Sequence, residues 1–287
     1  MGGIVYLDGK LIQRSRATIS ALDYGFLYGF GLFETMRAYK GKVFRLDKHL
    51  SRLATSTEVL DLSIDELELK KAVMDTIKAN KLGDARVRVT VSPGEGAINA
   101  DPHTCRKSTV LVVAENYKPC TEQVYRDGFM AIISSFRRNS QSLISGLKST
   151  SYLMSVMAKQ EARLAGADEA ICLNEKGLLA EASMSNIFIV TGGTLKTPGL
   201  ESGILPGITR QVVLELAYQM GTNCFEDDIK LDDLYKAKEA FLTSSLLEVM
   251  PLTRVDDRCI ADGRVGNITR KLITGYKQLV SGELSIV

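Results

Sequence analysis

At 287 residues the chain sets 36 lysines and arginines against 34 aspartates and glutamates, a formal net charge of +2, and no basic cluster points to a nucleic-acid partner. Hydrophobic residues make up 45% and charged residues 24%, as in an ordinary soluble globular protein, and the length is that of about two domains. No segment approaches ~18 uninterrupted apolar residues, so no membrane-spanning helix is expected.

The amino terminus opens directly on strand-like Ile4, Val5, Tyr6 and Leu7, with no charged-then-apolar leader. Gly25, Gly29 and Gly31 lack the spacing of a nucleotide loop and read as close-packing glycines in a hairpin or turn beside Tyr24, Tyr28 and Phe33. Those aromatics suit either the small domain's own core or an exposed contact surface between two copies of the chain. An amphipathic helix is predicted near 47–60, carrying Leu50, Leu53, Val59 and Leu60. Ser63 and Glu66 then read as a capping box before a second helix running toward Asn80.

Between 86 and 91 valines alternate strictly with Arg86, Arg88 and Thr90, which predicts a strand with one apolar face. A further strand over 109–114 leads into a polar stretch with Pro119, read as an interdomain linker at 118–126. The small domain is then 1–117 and the large one 127–287. In the second part strands at 129–135, 168–173, 187–190 and 239–243 alternate with helices near 151–165 and 208–220, and 174–177 reads as a hairpin turn. The overall class is α/β (α+β). Cysteines at 105, 120, 172, 224 and 259 are odd in number and widely spaced, as reduced thiols of a cytoplasmic protein would be. His49 and His103 lie far apart with no paired cysteines near either, so no metal site is expected.

Three segments carry the chemistry. Lys148 lies between a glycine-bearing loop and a helix, with no acidic residue before Glu161. A lysine of ordinary pKa, about 10.4, is protonated at neutral pH, so a lysine that is to form a Schiff base needs burial or neighbouring cations to favour the neutral amine. Glu181, in Ala180-Glu181-Ala182-Ser183-Met184-Ser185-Asn186, offers a carboxylate that could keep a pyridine nitrogen protonated, or could be a solvated hairpin residue. Pro206 and Gly207 precede an apolar helical pattern at Val212, Val213, Leu216, Ala217 and Met220 that Gly221 closes. The amides of Ile208 and Thr209 would sit at the positive end of that helix, where a phosphate dianion is stabilised; alternatively Thr209 is simply its cap.

In this order and spacing the segments resemble the class IV, or fold-type IV, pyridoxal-phosphate enzymes. That family holds branched-chain, D-amino-acid and (R)-amine aminotransferases and aminodeoxychorismate lyase. The resemblance runs nearly end to end and implies a small α+β domain, a larger strand-rich, barrel-like α/β domain, and a cofactor in the cleft between them. It makes Lys148 the Schiff-base lysine, Glu181 the partner of the pyridine nitrogen, and Arg52, flanked by His49, the arginine that grips the phosphate. Tyr152 falls near the ring hydroxyl, Leu205 on the ring face, and Ile208 and Thr209 at the phosphate. Ser245 stands where the family often has a phosphate-binding threonine, with Ser244 able to share the role. Tyr28, Phe33, Thr35, Arg86 and Arg88 are the implied substrate-binding residues, and a homodimer is implied.

The resemblance implies transfer of an amino group between an amino acid or small amine and a 2-oxo acid. Release of pyruvate and 4-aminobenzoate from aminodeoxychorismate is the alternative, because Thr35 replaces the glycine usual in branched-chain enzymes. The turn from Thr243 to Glu248 likewise departs from their Gly-Thr-Ala-Ala-Glu pattern.

Overall fold

The structure, a computed structural model, describes residues 3–285. These divide into two compact units: 3–118 with 147–152, and 119–146 with 153–285.

The first unit holds β1 (Ile4–Leu7), β2 (Lys10–Gln13), the single turn α1 (Tyr24–Leu27), β3 (Leu32–Tyr39) and β4 (Lys42–Val43). Helices α2 (Leu46–Val59) and α3 (Glu66–Ala79) and strands β5 (Ala85–Ser92) and β6 (Thr109–Asn116) follow. The six strands form one antiparallel sheet in the order β2-β1-β6-β5-β3-β4. The alternation in β5 does what it predicts. Val87, Val89 and Val91 are fully buried and pack with Leu32 and Met36 of β3 against Leu50 and Leu53 of α2 and Val73 and Ile77 of α3. Arg86, Arg88 and Thr90 occupy the opposite face, because side chains on a strand alternate.

The expected capping box is not formed. The helix begins only at Glu66, so its cap is Asp65, whose Oδ1 accepts from the amides of Leu67 (2.9 Å) and Glu68 (3.0 Å). Ser63 lies too far upstream to reach them. The aromatic segment divides between the two readings given for it: Tyr24 and Phe33 are buried, while Phe26 and Tyr28 are exposed. Gly29 has φ +63°, and a Cβ there would fall 2.9 Å from Ser151 Oγ, so this position requires glycine.

The second unit holds α4 (Glu122–Asp127), β7 (Phe129–Arg138), α5 (Leu153–Leu164), β8 (Glu169–Asn174), β9 (Leu179–Ala182), β10 (Asn186–Thr191) and β11 (Thr194–Pro198). It continues with α6 (Ile208–Gln219), β12 (Cys224–Asp227), α7 (Leu231–Tyr235), β13 (Glu239–Ser244), β14 (Glu248–Val255), β15 (Arg258–Cys259) and α8 (Asn267–Glu283). Its mixed sheet runs β12-β11-β10-β13-β14-β7-β8-β9, with β15 on β14. The sheet curls until β9 lies against β10 and β11, giving it a barrel-like form. Ile171, Leu179, Ile187, Ile189, Leu242 and Met250 fill the core.

The stretch expected to be a linker is partly helical. Thr121 caps α4, and Val124 and Tyr125 pack on the second unit's core, with the Tyr125 hydroxyl donating to Leu247 O at 2.9 Å. Nothing in the sequence marks 147–152 as returning to the first unit. Among the described residues no helix is long and apolar enough to cross a membrane.

Candidate active site

In the first unit the site is built on the sheet face opposite the valines. Phe33 pairs with Thr90 and Thr35 with Arg88 across β3 and β5, so these four side chains share that face. Residues 148–150 add themselves to the start of β3: Phe33 N donates to Lys148 O (2.8 Å), Thr150 N donates to Gly31 O (2.8 Å), and Ser149 bridges Leu32. This pairing fixes the lysine's backbone beside Phe33. Lys148 Nζ then lies 4.8 Å from the Phe33 ring centroid, the Arg88 guanidinium carbon lies 3.6 Å from it, and the Tyr152 ring meets its edge at 5.2 Å. The lysine is half-buried on an aromatic surface, with a second cation on the same ring.

On the core face of β3 stands Glu34, 1% exposed. Its carboxylate accepts from Arg52 Nε and Nη2, both at 2.7 Å, and meets His49 Nδ1 at 2.7 Å. Burial opposes the ionised carboxylate, but the Arg52 guanidinium and the His49 imidazole overcome it and hold the group down at about 2. Desolvation lowers His49, with the Arg52 and Lys148 charges acting the same way and Glu34 against them. The imidazole is therefore neutral at neutral pH. Since an ionised carboxylate can only accept, the Nδ1 proton is the one shared with Glu34.

In the second unit the turn after β8 is closed by Asn174 Oδ1, which accepts from the amides of Lys176 and Leu178, and by Gly177 at φ +76°. That hairpin delivers Glu181 on β9 as a buried group, so the solvated-hairpin reading does not hold. Glu181 Oε1 lies 3.0 Å from Arg138 Nη1, and Oε2 accepts from Asn186 Nδ2 (2.9 Å) and the Leu205 amide (3.0 Å). Arg138 also donates to Gly203 O (2.7 Å) and Ser145 O (2.8 Å), tying the end of β7 to the loop before α6. Asn186 Nδ2 donates again to Leu205 O at 2.9 Å. The carboxylate is thus bound directly to the loop that leads into the candidate phosphate seat.

At that seat α6 begins after Gly207, which has no side chain to cap it. Thr209 lies inside the helix and is not its cap, leaving the first-turn amides and the positive end of the helix for an anion. A Cβ on Gly207 would fall 2.0 Å from Asn186 Oδ1, so only glycine fits between that side chain and the helix start. Ser244 Oγ accepts from Leu247 N at 3.2 Å, closing the β13–β14 turn in which Ser245 stands.

Pyridoxal phosphate suits this residue set on two structural observations. One is the uncapped start of α6. The other is a pair of buried hydroxyls without a hydrogen-bond partner, Thr243 Oγ1 and Ser185 Oγ: Thr243 pairs across the sheet with Asn186, and Ser185 immediately precedes it. Buried polar groups are normally paired, so orphans around the residue that bridges Glu181 to Leu205 mark a place for a polar ligand.

Of the residues singled out by sequence, the first unit brings Phe33, Thr35, Arg88, Lys148 and Tyr152 together, with Arg52 anchored across β3. The second joins Glu181 to Leu205 ahead of Ile208 and Thr209. Arg86 is turned to another use, an exposed ion pair with Glu115 at 2.9 Å. Tyr28 is exposed and packs edge-on to Tyr24 at 4.8 Å. Glu34, Arg138 and Asn186 escaped sequence reasoning. Glu34 had left one signal, a carboxylate at an alternate strand position shared with Leu32, Met36 and Ala38, which read as core.

Residues 31–255 match the family model described as amino-transferase class IV. The chain is 40% identical over 278 residues to a putative branched-chain-amino-acid aminotransferase of Methanocaldococcus jannaschii, covering 96% of each. It is 34% identical over 258 residues to an aminodeoxychorismate lyase of Bacillus subtilis, covering 88% of this chain and 87% of that one. The crystal structure of a branched-chain amino acid aminotransferase from Thermobaculum terrenum, in its PLP-bound holo-form, matches with a TM-score of 0.87 at 28% identity, covering 98% of this chain and 94% of that one. The chain therefore belongs to the class IV aminotransferases: it has the type IV fold and is a pyridoxal-phosphate-dependent transaminase.

Proposed function

We propose that the chain passes the amino group of a branched-chain amino acid to a 2-oxo acid, with Lys148 as the lysine that carries the cofactor. The observation that supports this best is the shared Phe33 ring, where an amine and a guanidinium lie against one apolar surface. Arg88 can take a substrate carboxylate through paired N–H groups, while the ring suits an aliphatic side chain. The relative at 40% identity carries the branched-chain name.

Bound pyridoxal phosphate supplies a carbonyl carbon for amine exchange and a ring that withdraws electrons from the substrate carbon. Lys148 Nζ would hold the cofactor and, as the base, would move the proton at the substrate α-carbon. Glu181, held by Arg138 and Asn186, keeps a proton at the pyridine nitrogen. Arg52, Ile208, Thr209, Ser244 and Ser245 hold the phosphate, Tyr152 the ring hydroxyl, and Leu205 the ring face. Thr35, in register with Arg88, lines the substrate side together with Tyr28; Arg86 stays with Glu115. The enzyme is a cytoplasmic homodimer in this reading, supported by five free thiols and by exposed Phe26 and Tyr28 in one unit and Leu153, Val156 and Met157 in the other. Light scattering that found an active monomer of 31.4 kDa would contradict the dimer.

A second reading, aminodeoxychorismate lyase, is favoured by Thr35 at that register position and by the relative of that name. One assay separates them. L-leucine, L-isoleucine and L-valine are each offered with 2-oxoglutarate, and aminodeoxychorismate is offered alone. Glutamate and the branched 2-oxo acids are expected; pyruvate from the last mixture with no glutamate from the others would overturn transamination.

A further inference from the structure

The mechanism uses Arg52 but leaves Glu34 and His49 without a task. Both are almost wholly buried, and both belong to one hydrogen-bonded cluster. We infer that Glu34 and His49 are positioning residues for the cofactor phosphate, acting through Arg52; this rests on the assignment of Arg52 as the phosphate arginine.

The geometry carries the inference in three steps. Glu34 binds Arg52 through Nε and Nη2 together, a two-point grip that fixes the guanidinium plane as well as its place. An arginine held at one point could swivel; this one must break two charge-assisted bonds to a buried carboxylate to turn. His49 then fixes the carboxylate. It lies one helical turn before Arg52 on α2, so both side chains project on one face toward β3, and its Nδ1 proton is shared with the oxygen that also accepts from Arg52 Nη2. Finally, the cluster is close to neutral: one carboxylate balances one guanidinium and the imidazole is uncharged. Arg52 can therefore stay oriented before any phosphate arrives, which removes an ordering cost from binding.

A merely structural ion pair would stabilise the fold without regard to the phosphate. The test therefore compares pyridoxal phosphate with pyridoxal, which lacks it. Equilibrium dialysis of the full-length protein gives the affinity for each, and circular dichroism follows folding. Glu34→Gln should weaken pyridoxal phosphate by about tenfold or more, as loss of a partner that orients a ligand group does elsewhere, and leave pyridoxal within about twofold. His49→Ala should show a smaller selective loss, and His49→Asn, which keeps an N–H near the Nδ1 position, should recover most of it. If Glu34→Gln does not fold, the two His49 variants decide the matter. Equal weakening of both ligands, or no weakening, would overturn the inference. Arg52→Lys separates the two layers. If it lowers the preference for the phosphorylated ligand while Glu34→Gln and His49→Ala do not, only the positioning role fails; if it leaves the preference unchanged, the Arg52 assignment falls with it.

Discussion

Two buried carboxylates, one in each unit, are each paired with an arginine, and they do opposite things. Glu34 in the first unit spends its oxygens on Arg52 and His49, so the carboxylate serves the arginine. Glu181 in the second unit is served by its arginine: Arg138 holds one oxygen while Asn186 and the Leu205 amide hold the other, all of them donors that keep the carboxylate aimed. A buried glutamate–arginine pair is therefore no guide to function by itself. The rest of the partner set decides which member of the pair is presented to a ligand.

The largest effect should separate the two carboxylates by rate. In the role proposed for Glu181, Glu181→Gln keeps the shape but loses the charge that would hold a proton on the pyridine nitrogen. Its kcat should fall by about a hundredfold or more, the scale of losing one preorganised electrostatic contact, with modest loss of cofactor. Glu34→Gln saturated with cofactor should fall far less. Near-normal turnover for Glu181→Gln would mean the comparison has its roles reversed.

Next comes Arg138→Met, which leaves Glu181 buried without its cation. Breaking a buried pair from one side costs about 3–5 kcal/mol, to be read as a lower denaturation midpoint in urea. A stability unchanged from wild type would show that Asn186 and the Leu205 amide satisfy Glu181 alone.

These contacts were unevenly legible in the sequence. Glu181, Lys148 and the start of α6 stood out because turn chemistry, a helix start and a glycine stop are local signals. The valine face of β5 was equally plain, since period-2 alternation is a local signal too. Arg138 was not, because Glu181 lies 43 residues onward, and Asn186 was not, because one of the two groups it bridges, Leu205, lies 19 residues onward; only folding brings them in. The return of 147–152 to β3 was hidden for the same reason. The choice of Asp65 over Ser63 as cap turned on where the helix begins, which neighbouring packing settles.

A third effect distinguishes the carboxylates by pH. Glu34 is held at about 2 against an ordinary 4.5, so its contribution is complete above the unfolded value and is lost as pH falls from about 4.5 toward about 2. Over that span it is on the order of 3 kcal/mol. His49, lowered below its ordinary 6.5, adds a loss in the same direction that starts as pH falls through 6.5, where the unfolded imidazole takes up a proton first. Thermal melts between pH 7 and pH 3 should therefore drop more steeply for wild type than for Glu34→Gln. Parallel curves would remove Glu34 from the account of acid stability.

The smallest expected effect is at the uncapped helix. Thr209→Val keeps the amide and shape but removes one hydroxyl from the proposed phosphate seat. One such hydrogen bond contributes about 1 kcal/mol, so cofactor affinity should fall by roughly fivefold, a change that dialysis resolves. No change would leave the seat to the backbone amides alone.

The central claim is that the lysine beside Phe33 carries the cofactor. Borohydride reduction of the holoenzyme, followed by digestion and mass spectrometry, reads this directly. The account predicts the phosphopyridoxyl mass on the peptide containing Lys148 and on no other. The same label on Lys159, the lysine next along the chain, or on any other lysine would contradict it.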